Sequence, residues 1–326
     1  MEFKPYISIL KRIVFLFIFY SSCIPSNGQQ VPLNPVSYRI FSPFIFNPAI
    51  AGSKDFSSVD IIAGWEGKSS SQILTVNSRL AKKGPDYFTS HAVKEYINIG
   101  IGGSVFNEVT GTMHNTGLSA VCSYQLPMDK KSLSFLSFGA AVKGVYNFMD
   151  SVSSADPFMS QPSLRTFYPN LDAGVYYYGP DFFAGISATN LLGNPGKPDT
   201  LGVFRIPASR QYFFVAGYKF LINRALNIVV EPSIILNTDE SANQKITDVL
   251  EPMLKVYLEN FCLGTYFNDY KKISFFFQYK YSRFYVGTFV EIPTGSPYYK
   301  KDLNIELAVG INFSQIKSKY LKYYHW

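Results

Sequence analysis

Cysteine is scarce in this 326-residue chain, which has three, Cys23, Cys122 and Cys262. So few exclude a disulfide-built scaffold. Histidine is as rare, at His91, His114 and His325, far apart and with no Cys or acidic residue at metal-ligand spacing. Charged residues make up only 16% of the chain and are outnumbered by aromatics at 17%, a balance foreign to an ordinary soluble domain. After residue 28 no stretch reaches the roughly 18 unbroken apolar residues of a membrane-crossing helix. Nucleotide and nucleophile motifs are missing too. GIGGS (100–104) lacks the dinucleotide spacing and a following helix pattern, so its glycines read as strand positions where side chains must be small. GNPGKPDT (193–200) has Pro198 where a phosphate loop needs Ser or Thr. No Gly-x-Ser-x-Gly marks a nucleophile elbow. The adjacent carboxylates Asp239-Glu240 lie in NTDESANQK (237–245), a solvated turn and not a glycosidase pair. The chain reads as no enzyme, with no cofactor, no metal and no small-molecule substrate.

What is present begins with an export signal. Lys4, Lys11 and Arg12 form a basic leader, IVFLFIFY (13–20) a short apolar stretch, and SSCIPSNG ends it with small residues. Ser26 and Gly28 suit the positions three and one before a cut, so residues 1–28 are expected to be removed. Cys23 offers a rival reading as a lipoprotein acceptor, although Tyr20 stands where a Leu is usual. Removal takes away three basic residues and one acidic, and the formal charge falls from +7 to +5.

Periodicity sets the architecture. In LNIELAVGINF (303–313), Leu303, Ile305, Leu307, Val309, Ile311 and Phe313 share one face, opposite Asn304, Glu306, Ala308, Gly310 and Asn312. INIGIGGSV (97–105), ISFFFQYKYS (273–282) and LNIVVEPSIILN (226–237) alternate in the same way. About fourteen such segments occur, separated by turn material such as YYYGPD (176–181) and FNDYKK (267–272). A soluble sandwich also alternates, but its polar positions are commonly rich in Lys and Glu. Here they are mostly Gly, Ser and Asn, and the apolar face ends in Tyr and Phe. Those are the features of an all-β transmembrane outer-membrane β-barrel of about 14 antiparallel strands, apolar towards lipid and polar within. Closure also removes the edges that so many aromatic strands would expose. The expected organisation is a signal peptide at 1–28, an N-terminal rim segment at 29–55, a barrel at 56–313 and a basic-aromatic tail at 314–326.

Between signal and barrel lies FNPAIAGS (46–53). Pro48 fixes its own φ and pushes Asn47 out of the α region, while Gly52 tolerates backbone conformations other residues avoid. The octet is expected to be a bend, neither strand nor helix, turning the chain into the wall at Asn47, Pro48, Ala49 and Gly52. The preceding SYRIFSPFIF (37–46) is too short and irregular to span lipid and is expected against or inside the barrel mouth.

The octet is similar to the opening motif of the PorP/SprF family of type IX secretion system outer-membrane proteins, found in gliding and protein-secreting Bacteroidota. YPNLDAGVYYYGPDFFAGISATNLL (168–192), RQYFFVAGYKF (210–220), LNIVVEPSIIL (226–236) and the closing strand follow in the family's order, so the resemblance spans residues 29–313. Ser42-Pro43 stands where a second Asn-Pro is common, Ile50 where an aromatic is, and Lys301-Asp302-Leu303 where the last strand often opens Ser-His-Glu. The resemblance implies a non-enzymatic role in the outer membrane, supporting secretion or surface anchoring of proteins such as adhesins. Its expected partners are outer-membrane lipid and either periplasmic secretion machinery or a large secreted adhesin, with no nucleic acid. Within the family, PorP-like members belong to the machinery and SprF-like members each serve one adhesin. The alternative from a different class is a porin-like passive diffusion channel.

Two further features stand out. Glu231-Pro232 and Glu251-Pro252 sit twenty residues apart in consecutive strands. Parity turns both glutamates to the polar face, where they are a lumen constriction or a docking point, or are satisfied by neighbours such as Lys255. Each Pro removes one ladder donor and is expected to invite a bulge or bend. The tail SQIKSKYLKYYHW interleaves Lys317, Lys319 and Lys322 with tyrosines and Trp326, a pattern for interfacial anchoring, for contact with a periplasmic partner, or for a disordered end.

Overall fold

The computed structural model describes residues 37–54, 56–67, 69–81, 96–129, 134–150, 163–192, 210–223, 226–239, 249–268, 272–293 and 303–313. A helical turn, α1 (Tyr38–Phe41), and two 3₁₀ turns, Pro43–Ile45 and Pro48–Ile50, come first. Then follow β1 (Ser57–Glu66), β2 (Ser69–Ala81), β3 (Tyr96–Thr110), β4 (Met113–Asp129), β5 (Ser134–Met149), β6 (Leu164–Tyr178), β7 (Phe182–Thr189) and β8 (Gln211–Tyr218). The rest are β9 (Phe220–Asn223), β10 (Ile228–Asp239), β11 (Leu250–Leu258), β12 (Phe261–Asn268), β13 (Lys272–Tyr281), β14 (Phe284–Pro293) and β15 (Asn304–Phe313). All pair antiparallel in one sheet, and β15 pairs with β1 from Ser57↔Phe313 to Glu66↔Asn304, which closes the ring. β8 and β9 keep one register against β10, with Ser233↔Gly217 and Val230↔Phe220 on either side of Lys219. They are one interrupted strand, so the wall is a closed barrel of fourteen strands, as the alternation leads one to expect.

The two faces are inverted relative to a soluble protein. Leu118, Val142, Phe167, Ile186, Phe275 and Val286 are exposed on the outside, while Asp60, Thr75, Ser123, Gln125, Asp172, Glu291 and Glu306 are buried within. At the end where β1 begins and β15 stops, here the termini end, outward rings gather: Tyr177 with Phe182, Tyr218 with Phe220, and Phe261 with Tyr279. This is the aromatic girdle of a lipid interface. Two turns at the termini end are tight. Leu258↔Phe261 and Tyr281↔Phe284 each enclose two residues, and Glu259 and Ser282 take positive φ (49° and 56°), as turns matched to strand twist require.

The wall is uneven in height. Strands β3 to β6 run 15 to 17 residues, whereas β11 to β15 run 8 to 10. Alternation in the sequence signals strands but not this difference.

The bulge expected at the prolines is absent from the seam between their strands. Pairing of β10 with β11 runs without a shift from Ile228↔Leu258 to Leu236↔Leu250, through both Pro232 and Pro252. The missing donors show on the outer sides of the pair instead. Lys219, where β8 and β9 part, lies across from Glu231 beside Pro232, and the ladder from β11 to β12 starts only at Met253, next to Pro252. Each proline thus withholds an N–H from the ladder that can end or pause there.

Candidate functional site

Residues 37–53 lie inside the barrel. Ser37, Phe41, Ser42, Phe44, Phe46, Asn47, Ala49 and Ala51 are all buried, at 4% exposure or less. The route explains why so apolar a stretch is not a strand. It starts beside β11, β12 and β15, passes β14 and β1, crosses the lumen, and returns along β5, β4, β3 and β2 into β1. Pro43 and Pro48 each open a 3₁₀ turn and supply the changes of direction.

One half of the wall holds this segment through backbone approach and neutral polar groups. The Asn47 Nδ2 donates to the carbonyls of Val175 (3.3 Å) and Ile186 (3.5 Å), while its Oδ1 accepts from the Ala49 N–H (3.0 Å) and caps the second 3₁₀ turn. FNPAIAGS is therefore a capped helical turn followed by a bend, where the sequence led one to expect a bend alone. The Ala51 carbonyl accepts from Ser123 Oγ (2.6 Å) and Gln125 Nε2 (3.1 Å), and the Phe46 carbonyl from Ser187 Oγ (2.7 Å). Gly52, at φ +68°, donates its N–H to Asn77 Oδ1 (2.8 Å). A buried irregular segment must have its backbone groups satisfied, and the wall side chains do so. The wall also makes room: a Cβ on Gly100 would collide with the Ala51 carbonyl, and one on Gly139 with the Pro48–Ala49 backbone.

The other half uses carboxylates and rings. The Ser37 N–H donates to Glu306 Oε2 (3.0 Å), and Ser42 Oγ to Asp60 Oδ2 (3.2 Å). Asp60 also accepts from Thr75 Oγ1 (3.2 Å) and Tyr285 Oη (2.5 Å), whose ring stacks on Phe41 at 5.9 Å. Arg39 forms an ion pair with Glu251, and Tyr266 Oη bonds to both. Burial would lower the Arg39 pKa, but Tyr266 and Glu251 outweigh it and hold the guanidinium well above its ordinary value. Burial raises the neighbouring Tyr38 hydroxyl.

The candidate residues from the sequence separate accordingly. Asn47, Pro48, Ala49 and Gly52 are lumen contacts, deeper than a rim. Glu231 and Glu251 both face inward and are buried but do not share a site. Glu231 accepts from Lys255 Nζ (3.1 Å) and Tyr257 Oη (3.1 Å), with Lys219 Nζ at 3.9 Å. Glu251 serves the chain's own Arg39. The sequence reading missed Arg39, whose signal was a single cation inside the apolar run SYRIFSPFIF. Lys317, Lys319, Lys322 and Trp326, residues 1–28, His91 and His325 lie outside the described residues. His114 is exposed beside Asp150 (3.1 Å), Cys122 is exposed on the outer face and Cys262 is buried.

A closed antiparallel barrel with a lipid-facing apolar exterior, a polar interior and a lumen filled by its own N-terminal segment defines the class: an outer-membrane β-barrel protein. Residues 30–311 match the family described as type IX secretion system membrane protein PorP/SprF, and the chain belongs to that family. No curated protein matches the chain. Among solved structures it is similar to the KdgM porin (10% identity, TM-score 0.35, covering 79% of this chain and 99% of that one). It is also similar to the NanC porin (8%, 0.38, 79% and 100%) and to BamA from Haemophilus ducreyi (12%, 0.39, 79% and 70%). Likenesses this distant carry no functional inference.

Proposed function

We propose that the protein is a non-conducting accessory barrel of the type IX secretion system, which supports secretion or surface anchoring of proteins such as adhesins through protein–protein contacts. The observation that supports this reading best is the occupied lumen. A diffusion channel needs an open path, whereas here residues 37–53 touch wall strands on opposite sides of the ring. In this reading the termini end faces the periplasm. Residues 1–28 act as the export signal, and the tail at 314–326 lies on the periplasmic side, near the secretion machinery. The host is a protein-secreting member of the Bacteroidota, and a gliding phenotype belongs with an adhesin as cargo.

Planar-bilayer recordings and pull-downs test the two classes together. The expected result is no steady pore from the purified protein, together with co-purification of a periplasmic machinery component or a surface adhesin from the native host. A large, steady conductance without such a partner would instead establish a porin-like channel. Sequencing of the mature N-terminus, expected at Gln29, checks the signal.

A further inference from the structure

The lumen wall satisfies its buried carboxylates in a regular way, and Glu108 departs from it. Among the described residues, Asp172, Glu231, Glu251 and Glu291 each take an ion pair, with Lys143, Lys255, Arg39 and Lys272 in turn. Asp60 accepts from four hydroxyls, those of Ser42, Ser58, Thr75 and Tyr285. Glu306 accepts from the Ser37 N–H and from Asn304 Nδ2 (2.8 Å). Glu108, on the inward face of β3 and 7% exposed, accepts among the described residues from one group, the neutral side chain of Asn115. A charge taken out of water without a counter-ion is costly.

The groups around it are set for an anion. Asn147 Nδ2 donates to Asn115 Oδ1 (2.5 Å), which turns the Asn115 amide N–H towards Glu108. Ser71, Glu108, Asn115 and Asn147 stand opposite one another on β2, β3, β4 and β5, in one row across the wall. Directly opposed residues bring their Cβ atoms to about 5 Å, so Ser71 is the immediate neighbour of Glu108. The Ser71 hydroxyl is buried without a hydrogen-bond partner and lies beside the bare Gly64 of β1, with room to turn towards β3. Thr110, two residues along the same face of β3 and 2% exposed, has an unpartnered Oγ1 as well. Orphaned buried hydroxyls are exceptions that call for a cause. Here two of them flank the buried carboxylate that has neither a cation nor a second donor.

We propose that Glu108, Ser71 and Thr110 form a binding site for a monovalent metal cation, Na⁺, held between the Glu108 carboxylate and the two hydroxyl oxygens. The donor atoms are all hard oxygens, the ligands of alkali and alkaline-earth ions and not of zinc or copper. Among the described residues no three His, Cys, Asp or Glu side chains come together, so a single negative charge faces the ion, which suits Na⁺ better than Ca²⁺. The Asn115 amide fixes the carboxylate without adding charge. Tyr38 of the lumen segment lies within electrostatic reach of Glu108, so the ion also sets the charge that the start of that segment meets. This rests on the wall geometry and holds whether or not the secretion role proposed above is correct.

The test is thermal unfolding of the full-length barrel in nonionic micelles at mildly alkaline pH, in sodium chloride or in choline chloride of equal ionic strength. The expected result is a midpoint that rises with sodium concentration, as linkage to a bound ion requires, and does not rise with choline. Glu108→Gln should abolish the sodium-specific rise in a barrel that still shows heat-modifiable migration. Ser71→Ala and Thr110→Val, which leave the charge in place, should each raise the sodium concentration at half effect by at least about three-fold. Equal midpoints in sodium and choline overturn the proposal, since a Glu108 that simply holds a proton would give that result. A sodium effect that survives Glu108→Gln overturns it too, as does a Glu108-dependent rise with calcium chloride and none with sodium.

Discussion

The two halves of the wall grip the same segment with different chemistry. From β2 to β7, plug and wall meet backbone to backbone, with glycines where they touch and hydroxyls or amides closing the remaining donors and acceptors. On β11, β12, β14, β15 and β1 the contacts are carboxylates and aromatic hydroxyls, with Arg39 as the central cation. The first kind fixes shape and tolerates no added atoms. The second tolerates changes of shape but not the loss of a charge partner.

That contrast can be broken in order of expected cost. Arg39→Met, which leaves Glu251 buried without its cation, should destabilise by about 3–5 kcal/mol in urea unfolding of the micellar barrel, and adding Glu251→Gln should restore most of it. If the double variant is no better than the single one, the ion pair is not what holds this half. Gly139→Val should cost about 1–3 kcal/mol by driving a side chain into Pro48 and Ala49. Gly103→Val, where among the described residues only the Ser119 carbonyl is near, should migrate on cold gels like the parent. Asn47→Ala should cost about 1 kcal/mol through the lost turn cap, read as a lowered thermal midpoint. His114→Ala, at an exposed contact with Asp150 remote from the lumen segment, should change stability by no more than about 1 kcal/mol in the same melt.

Much of the architecture was legible because a membrane barrel writes itself with period two. Leu303 to Phe313 sufficed to separate an apolar face from a small polar one. The Gly-rich side of INIGIGGSV read as a place for small side chains, and the structure supplies the reason, since Ala51 and Phe44 press against Gly100 and Gly102. The partner of Glu251 was not legible, because Arg39 lies 212 residues away and only closure of the ring brings the two together. Where the prolines of β10 and β11 interrupt the ladder was not legible for a related reason. Their effect depends on which neighbour each missing N–H faces, and a strand's own sequence does not say.

The lumen segment also bears on how such a wall could part. The first and last strands meet along a single seam, and residues 37–42 lie across it from within: Ser37 on β15, Phe41 on β14, Ser42 on β1 and its neighbour β2. Sideways opening between Ser57 and Phe313 would have to break these bonds as well as the ladder. The bend that introduces the first strand thus belongs to an internal brace, and lateral release through this seam is mechanically opposed for as long as the brace is seated.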